Sequence, residues 1–171
     1  FRHITLLWEN HINHQNNKII FHFFQKFSGF IKLIILMIIM QIKEIHAASI
    51  ITKSHLPDAD YVINPYAGCT HKCIYCYARF MKRFTGHNEN WGEFIDVKVN
   101  APDLNPPDTT KYRGKSIFMS SVTDPYLPLE KKYELTRKIL EKLIPLQPDL
   151  GILTKSDLVL RDIDLLRQFK L

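Results

Sequence analysis

The chain has 171 residues, enough for one ordinary domain with a buried core. Its 46% hydrophobic and 23% charged residues exclude an intrinsically disordered chain. The net charge of +6 permits contact with anions such as nucleic acid but does not establish it, because the basic residues are scattered and form no long run.

The first 46 residues differ in composition from the rest, and we predict an N-terminal extension, 1–46, outside the folded domain. Residues 29–40 are apolar apart from Lys32. The extension is compatible with upstream sequence translated in error before Met40, with a membrane anchor, or with a signal peptide or buried helix. A spanning helix needs about 20 apolar residues, and Lys26 and Lys32 interrupt any such window. We therefore expect no membrane attachment.

Downstream, residues 47–171 alternate between strand and helix patterns. Short β-branched and aromatic segments predict strands at 61–63, 94–99, 116–121 and 151–154. Helical patterns occur at 78–84, 128–144 and 162–169, and the proline-containing stretch 100–115 is predicted to be a loop. Strands separated by helices of this length predict βαβ units and a parallel sheet.

Polar residues directly follow three of these strands. They are a cysteine-rich loop, Thr123 with Asp124, and Lys155 with Ser156. Sites in α/β barrels and open α/β sheets form at the carboxyl ends of strands, so we expect these three segments on one face. Three or four strands are too few to close a barrel, and we expect the chain to be cut short at its C-terminus.

All three cysteines, Cys69, Cys73 and Cys76, lie in one eight-residue window. An odd, clustered set argues against a disulfide scaffold and favours a reducing, cytoplasmic location. Three thiolates so close in sequence can hold one metal centre and leave a coordination position open. A zinc site with His71 as fourth ligand is the alternative, in a non-catalytic zinc or nucleic-acid-binding module. His71 is only two residues from each neighbouring cysteine, a cramped spacing for joint ligation.

The spacing Cys-x3-Cys-x-aromatic-Cys, placed after a first strand, resembles the cluster loop of the radical S-adenosylmethionine (SAM) enzymes. Further segments resemble the spore photoproduct lyase-like branch of that superfamily, namely 63–66, 76–79, 121–126 and 154–156. The resemblance covers about residues 47–171. It implies an α/β fold that is the first part of a partial (β/α)6 TIM-type barrel, truncated at the C-terminus.

The resemblance also implies two cofactors, a [4Fe-4S] cluster and SAM. By position, Cys69, Cys73 and Cys76 would bind three irons, the fourth iron would bind SAM, and Tyr75 would lie near the adenine. Lys155 is the candidate partner of the SAM carboxylate. The candidates for its amino group or ribose are Ser121, Thr123 and Asp124.

The chemistry implied is reductive cleavage of SAM to methionine and a 5′-deoxyadenosyl radical, which abstracts hydrogen from a substrate. The implied partner is an electron donor such as flavodoxin or ferredoxin, and the substrate stays open, with nucleic acid among the candidates. Spore photoproduct lyase uses an additional cysteine as hydrogen donor, where this chain has Ser120 and Ser121. We therefore expect a reaction other than photoproduct repair, with Tyr75 and Tyr77 as candidate hydrogen relays.

Overall fold

The computed structural model describes residues 40–104 and 110–169, and the strands of this part form two sheets. The structure of residues 1–39, 105–109 and 170–171 lies outside this description, and with it most of the predicted extension and part of the predicted loop. The strands are β1 Gln41–Ile45, β2 Ile51–Lys53, β3 Tyr61–Ile63, β4 Tyr66–Ala67, β5 Phe94–Lys98, β6 Ser116–Met119 and β7 Asp149–Ile152.

The helices of the described part are short. The α-helices are α1 Glu130–Tyr133, α2 Leu135–Leu143 and α3 Ile163–Leu166. The 3₁₀-helices are Tyr77–Phe84, Ala101–Asp103, Thr110–Tyr112, Ile144–Leu146 and Asp157–Asp162. Within the described ranges, no helix is both long and apolar enough to cross a membrane.

The smaller sheet has the strand order β1-β5-β4. Its central strand β5 pairs in parallel with β1 and antiparallel with β4. Phe94, Ile95 and Val97 of β5 are fully buried, which is expected for a strand covered on both faces. Strand β1 belongs to this folded sheet although the sequence analysis assigned its residues to the extension. Its short polar-apolar sequence, QIKEI, carries too weak a pattern to predict a strand.

The larger sheet has the strand order β2-β3-β6-β7. Strands β3, β6 and β7 are mutually parallel, and β2 adds antiparallel to β3. The strands predicted at 61–63, 94–99, 116–121 and 151–154 are confirmed, with end shifts of up to two residues. A core of Ile63, Ile117, Met119 and Leu140 packs this sheet against α2.

The helix predicted for 128–144 is interrupted at Glu134, whose left-handed conformation (φ 52°) separates α1 from α2. The buried carboxylate of Glu130 explains the break. Its Oε1 accepts hydrogen bonds from the backbone N–H groups of Thr136 (3.0 Å) and Arg137 (3.4 Å) at the start of α2. Glu130 therefore caps a new helix instead of continuing the old one.

The predicted first part of a (β/α)6 TIM-type barrel is wrong. The described residues form two mixed sheets of three and four strands, not a series of strand-helix repeats. Two features divert the chain from a barrel. Strand β2 pairs antiparallel with β3, and the β3–β6 connection contributes β4 and β5 to the other sheet. Most connections are 3₁₀-helices rather than full crossover helices.

Candidate functional site

The cysteine loop belongs to the connection between β4 and β5, two paired strands of the smaller sheet. It follows β3 and β4, and Gly68 precedes its first cysteine in a conformation with φ 90°. A Cβ atom at Gly68 would lie 2.4 Å from the carbonyl oxygen of Phe94, so only glycine fits here. The Thr123 hydroxyl donates a 2.6 Å hydrogen bond to the Gly68 carbonyl and attaches the loop to the end of β6.

The three cysteines are free thiols in different environments. Cys69 is buried, while Cys73 and Cys76 are partly exposed. Burial raises the pKa of Cys69 to about 11, the backbone N–H of His71 opposes this, and the charges of Asp124, Cys73 and Cys76 add to it. The thiols are thus near enough to influence one another electrostatically.

The three free thiols of this loop are the type of donor that iron–sulfur clusters use. Nowhere in the described ranges do three or more His, Cys, Asp or Glu side chains form a group that could hold a metal ion. An iron–sulfur cluster does not need such a group, because each cysteine binds a different iron and the three sulfurs need not converge on one point. At the carboxyl end of β6, the buried Ser120 hydroxyl also has no hydrogen-bond partner in the described structure.

Lys155 lies over the cysteine loop although it is about eighty residues further along the chain. Its Nζ is 3.4 Å from Cys73 Sγ and donates a 3.0 Å hydrogen bond to the Tyr75 hydroxyl. The same Nζ is 5.3 Å from the centre of the Tyr75 ring. The hydrogen bonds to Tyr75 and to Cys73 raise the pKa of Lys155, so the ammonium group is charged at neutral pH. The site therefore presents a cation beside its thiols.

Asp124 is buried at the end of β6 and joins the other parts of the site. Its Oδ1 accepts hydrogen bonds from Tyr126 N (2.8 Å) and from the Thr154 hydroxyl (2.7 Å). Its Oδ2 accepts one from Lys155 N (2.8 Å) and lies 3.0 Å from His71 Nε2. Burial opposes the charged form, but these donors outweigh it and keep the pKa of Asp124 below its ordinary value.

Tyr75 and Tyr77, the candidate relays, are both largely exposed. The Tyr77 hydroxyl donates a hydrogen bond to the Ser121 carbonyl, which connects the cysteine loop to the segment after β6. Partial desolvation, and then the nearby Cys76, raise the pKa of Tyr77. Ser121 and Thr123 are therefore brought to the loop, the first through its backbone and the second through its hydroxyl.

His71, the alternative zinc ligand, lies beside Asp124. Its Nε2 is at ion-pair distance from Asp124, without the direction of a good hydrogen bond. The imidazole thus contacts a carboxylate, and the structure assembles no Cys3His set in the described residues.

The sequence analysis missed a second buried cluster behind the loop. Glu130 is completely buried and accepts hydrogen bonds from the Tyr66 hydroxyl and from Arg161 Nη2 (2.9 Å). Arg161 also pairs with the buried Asp162, at 2.7 Å. The helical pattern at 128–144 places Glu130 in a first helical turn, and nothing local in the sequence indicates that its carboxylate is buried with Tyr66 and Arg161.

Three relatives of the chain come from very different sources. An uncharacterized protein of Methanocaldococcus jannaschii is 48% identical over 129 residues, covering 75% of this chain and 48% of that protein. One of Acidianus two-tailed virus is 36% identical over 118 residues, 64% of this chain and 38% of its own length. An uncharacterized protein of Mycobacterium tuberculosis is 31% identical over 115 residues, which cover 63% of this chain and 33% of that protein.

These relatives are named only as uncharacterized proteins and assign no activity. The chain spans about half the length of the Methanocaldococcus protein and about a third of the mycobacterial one. No protein-family profile matches the chain, and no solved structure matches it significantly. Only the residues of the site therefore indicate a function.

Proposed function

We propose that this chain belongs to a radical SAM enzyme that binds a [4Fe-4S] cluster through Cys69, Cys73 and Cys76. The observation that carries the proposal is the cysteine loop with a charged lysine directly beside it, 3.4 Å from Cys73. Three thiol ligands leave one iron open for a small molecule. A cation beside that position suits the carboxylate of an amino-acid ligand such as SAM.

The residues of the chain bind and orient in this proposal. Lys155 pairs with the SAM carboxylate, and Tyr75 offers an exposed ring against which the adenine packs. Ser121 and Thr123 lie at the carboxyl end of β6, where polar groups are available to the SAM amino group or ribose. The backbone at Gly68 and the hydrogen bond from Thr123 hold the loop in place.

When bound together, the cluster and SAM supply one-electron reductive cleavage, which yields methionine and a 5′-deoxyadenosyl radical that abstracts hydrogen from the substrate. An acidic electron carrier such as flavodoxin or ferredoxin is the proposed reductant. The clustered free thiols favour a reducing compartment, so we propose a cytoplasmic location. The proposal depends on the loop and its neighbours and does not require a barrel.

We propose no substrate, but one reaction, photoproduct repair with a cysteine as hydrogen donor, is set aside. No fourth cysteine exists in the chain, and a serine O–H is a far poorer hydrogen-atom donor than a thiol. Tyr75 and Tyr77 are the proposed relays, because both present hydroxyls near the loop. Photoproduct repair by a cysteine donor is therefore not the proposed reaction.

Anaerobic reconstitution with iron and sulfide tests the proposal. We expect a brown protein with about four irons per chain, visible by absorption and by electron paramagnetic resonance after reduction. Cys73→Ala should lose this cluster. Lys155→Gln is the matched control, because it should keep the cluster while weakening SAM binding by about tenfold, the loss of one charge-assisted contact. A colourless, zinc-loaded wild-type protein would instead favour the zinc-binding module.

A further inference from the structure

Groups of the chain itself surround the Asp124 carboxylate. The residue is 4% exposed, its Oδ1 accepts two hydrogen bonds, its Oδ2 accepts one, and His71 Nε2 lies 3.0 Å from Oδ2. An ionised carboxylate offers about four acceptor positions, so this arrangement leaves little capacity for an external donor. A direct contact with the amino group or ribose of SAM would have to displace one of these internal bonds.

The partners of Asp124 come from three separate parts of the fold. His71 lies within the cysteine loop, and Tyr126 lies in the connection that leads from β6 to α1. Thr154 and Lys155 directly follow β7. One buried side chain therefore joins the loop to the carboxyl ends of two neighbouring parallel strands.

We propose that Asp124 is a positioning residue, which holds the backbone at Lys155 against the cysteine loop so that the lysine ammonium stands beside Cys73. The bond from Lys155 N to Asp124 Oδ2 fixes the point from which the lysine side chain starts. His71, in the cysteine loop, lies 3.0 Å from the same oxygen. An effect of Asp124 on SAM binding rests on the proposed function, whereas its role in positioning Lys155 does not.

The donor pattern requires a carboxylate at this position. Tyr126 N and Thr154 Oγ1 donate to Oδ1 of Asp124, and Lys155 N donates to Oδ2. An asparagine keeps one carbonyl oxygen and turns an NH₂ group toward donors on the other side. Asp124→Asn thus keeps nearly the same side-chain volume. In either orientation of the amide, its NH₂ group faces donors that bound a carboxylate oxygen in the wild type.

Amide hydrogen exchange, measured by NMR on the metal-free full chain, tests the positioning. In Asp124→Asn, exchange at the Lys155 amide should accelerate by about tenfold or more relative to the most protected amides of β5 and β6, since one charge-assisted bond is lost. Thr154→Val removes only one donor and should give a smaller acceleration, so it replaces Asp124→Asn if that variant does not fold.

Glu130→Gln is the matched control, because Glu130 is another buried carboxylate with several donors and does not contact Lys155. It should leave the relative exchange rate at Lys155 unchanged. Wild-type protection of Lys155 in both Asp124→Asn and Thr154→Val would overturn the proposal. Equal acceleration in Glu130→Gln would also overturn it, since general destabilisation would then account for the effect.

SAM binding to the reconstituted protein separates this inference from the proposed function. We expect Asp124→Asn to keep its iron and to bind SAM about tenfold more weakly, with Glu130→Gln near wild type. Wild-type affinity in Asp124→Asn would overturn the positioning role in SAM binding and leave the proposed function intact. If wild-type protein binds no SAM, the proposed function fails, and hydrogen exchange alone decides the positioning.

Discussion

At the residue scale, Gly68 is the position where backbone geometry most directly supports the site. It has φ 90°, it precedes Cys69, and the Phe94 carbonyl occupies the space that a Cβ atom would need. The loop can therefore approach β5 only if this residue is glycine. The cysteine loop was predicted from the sequence, but this close approach was not, because the neighbouring strand is more than twenty residues away.

Gly68→Ala should destabilise the domain by roughly 3 kcal/mol or more, from the combined cost of the positive φ and the clash with backbone. Gly86→Ala is the matched control. Gly86 also has a positive φ, at 71°, but nothing lies within 4 Å of its Cβ position, so its cost should be about 1 kcal/mol. Urea unfolding measures both values, and equal costs would contradict the close contact.

His87 also contacts β5. Its Nε2 is 2.9 Å from Asp96 Oδ1, its Nδ1 is 3.0 Å from Glu89 Oε2, and its ring stacks on Phe94 at 4.0 Å. Desolvation lowers the pKa of His87, but the hydrogen bonds to Asp96 and then Glu89 outweigh it and raise the pKa above the ordinary value. The folded state therefore binds this proton more tightly than the unfolded chain does.

The sign of this shift predicts the pH dependence of stability. The contribution of His87 is fully present below the unfolded histidine pKa of about 6.5 and is lost as the pH rises through the higher folded value. The difference in urea midpoint between wild type and His87→Gln should therefore shrink between about pH 6 and about pH 8. Both proteins contain the other histidines, so the effect of those residues cancels in this difference. A difference that grows with pH would show that folding does not raise the pKa of His87.

At the element scale, the break between α1 and α2 is explained by one buried acid. Burial and the Glu130 charge raise the pKa of Tyr66, so its hydroxyl remains protonated and donates to Glu130. The same carboxylate caps α2 and pairs with Arg161. The sequence pattern correctly indicated helix on both sides of Glu134. It could not show the break, because that depends on Tyr66 and Arg161, which lie far away in the chain.

Glu130→Gln should lower the free energy of unfolding by about 2–4 kcal/mol, because several buried donors then share one amide oxygen. Glu141→Gln serves as control. Glu141 lies on the exposed side of α2, 3.7 Å from Arg137, and its loss should cost less than about 0.5 kcal/mol. A cost below 1 kcal/mol for Glu130→Gln would contradict the role given to this cluster.

At the scale of the whole molecule, the cysteine loop connects two strands of the smaller sheet and contacts the segments that follow β6 and β7 of the larger sheet. The carboxyl ends of the parallel strands β3, β6 and β7 meet at one edge, where Cys73, Asp124 and Lys155 come together. The sequence predicted these strands and the residues after them, because strand patterns and polar residues are local. The sheet partners of β2 and β5 depend on distant pairing, which explains why the barrel prediction was wrong.

The formation of 5′-deoxyadenosine tests the central claim most directly. The reconstituted full chain is incubated anaerobically with SAM and dithionite, and the products are measured by chromatography and mass spectrometry. We predict 5′-deoxyadenosine and methionine in equal amounts, with neither formed by Cys73→Ala. Protein that carries about four irons per chain and forms no 5′-deoxyadenosine would contradict the proposed radical SAM activity.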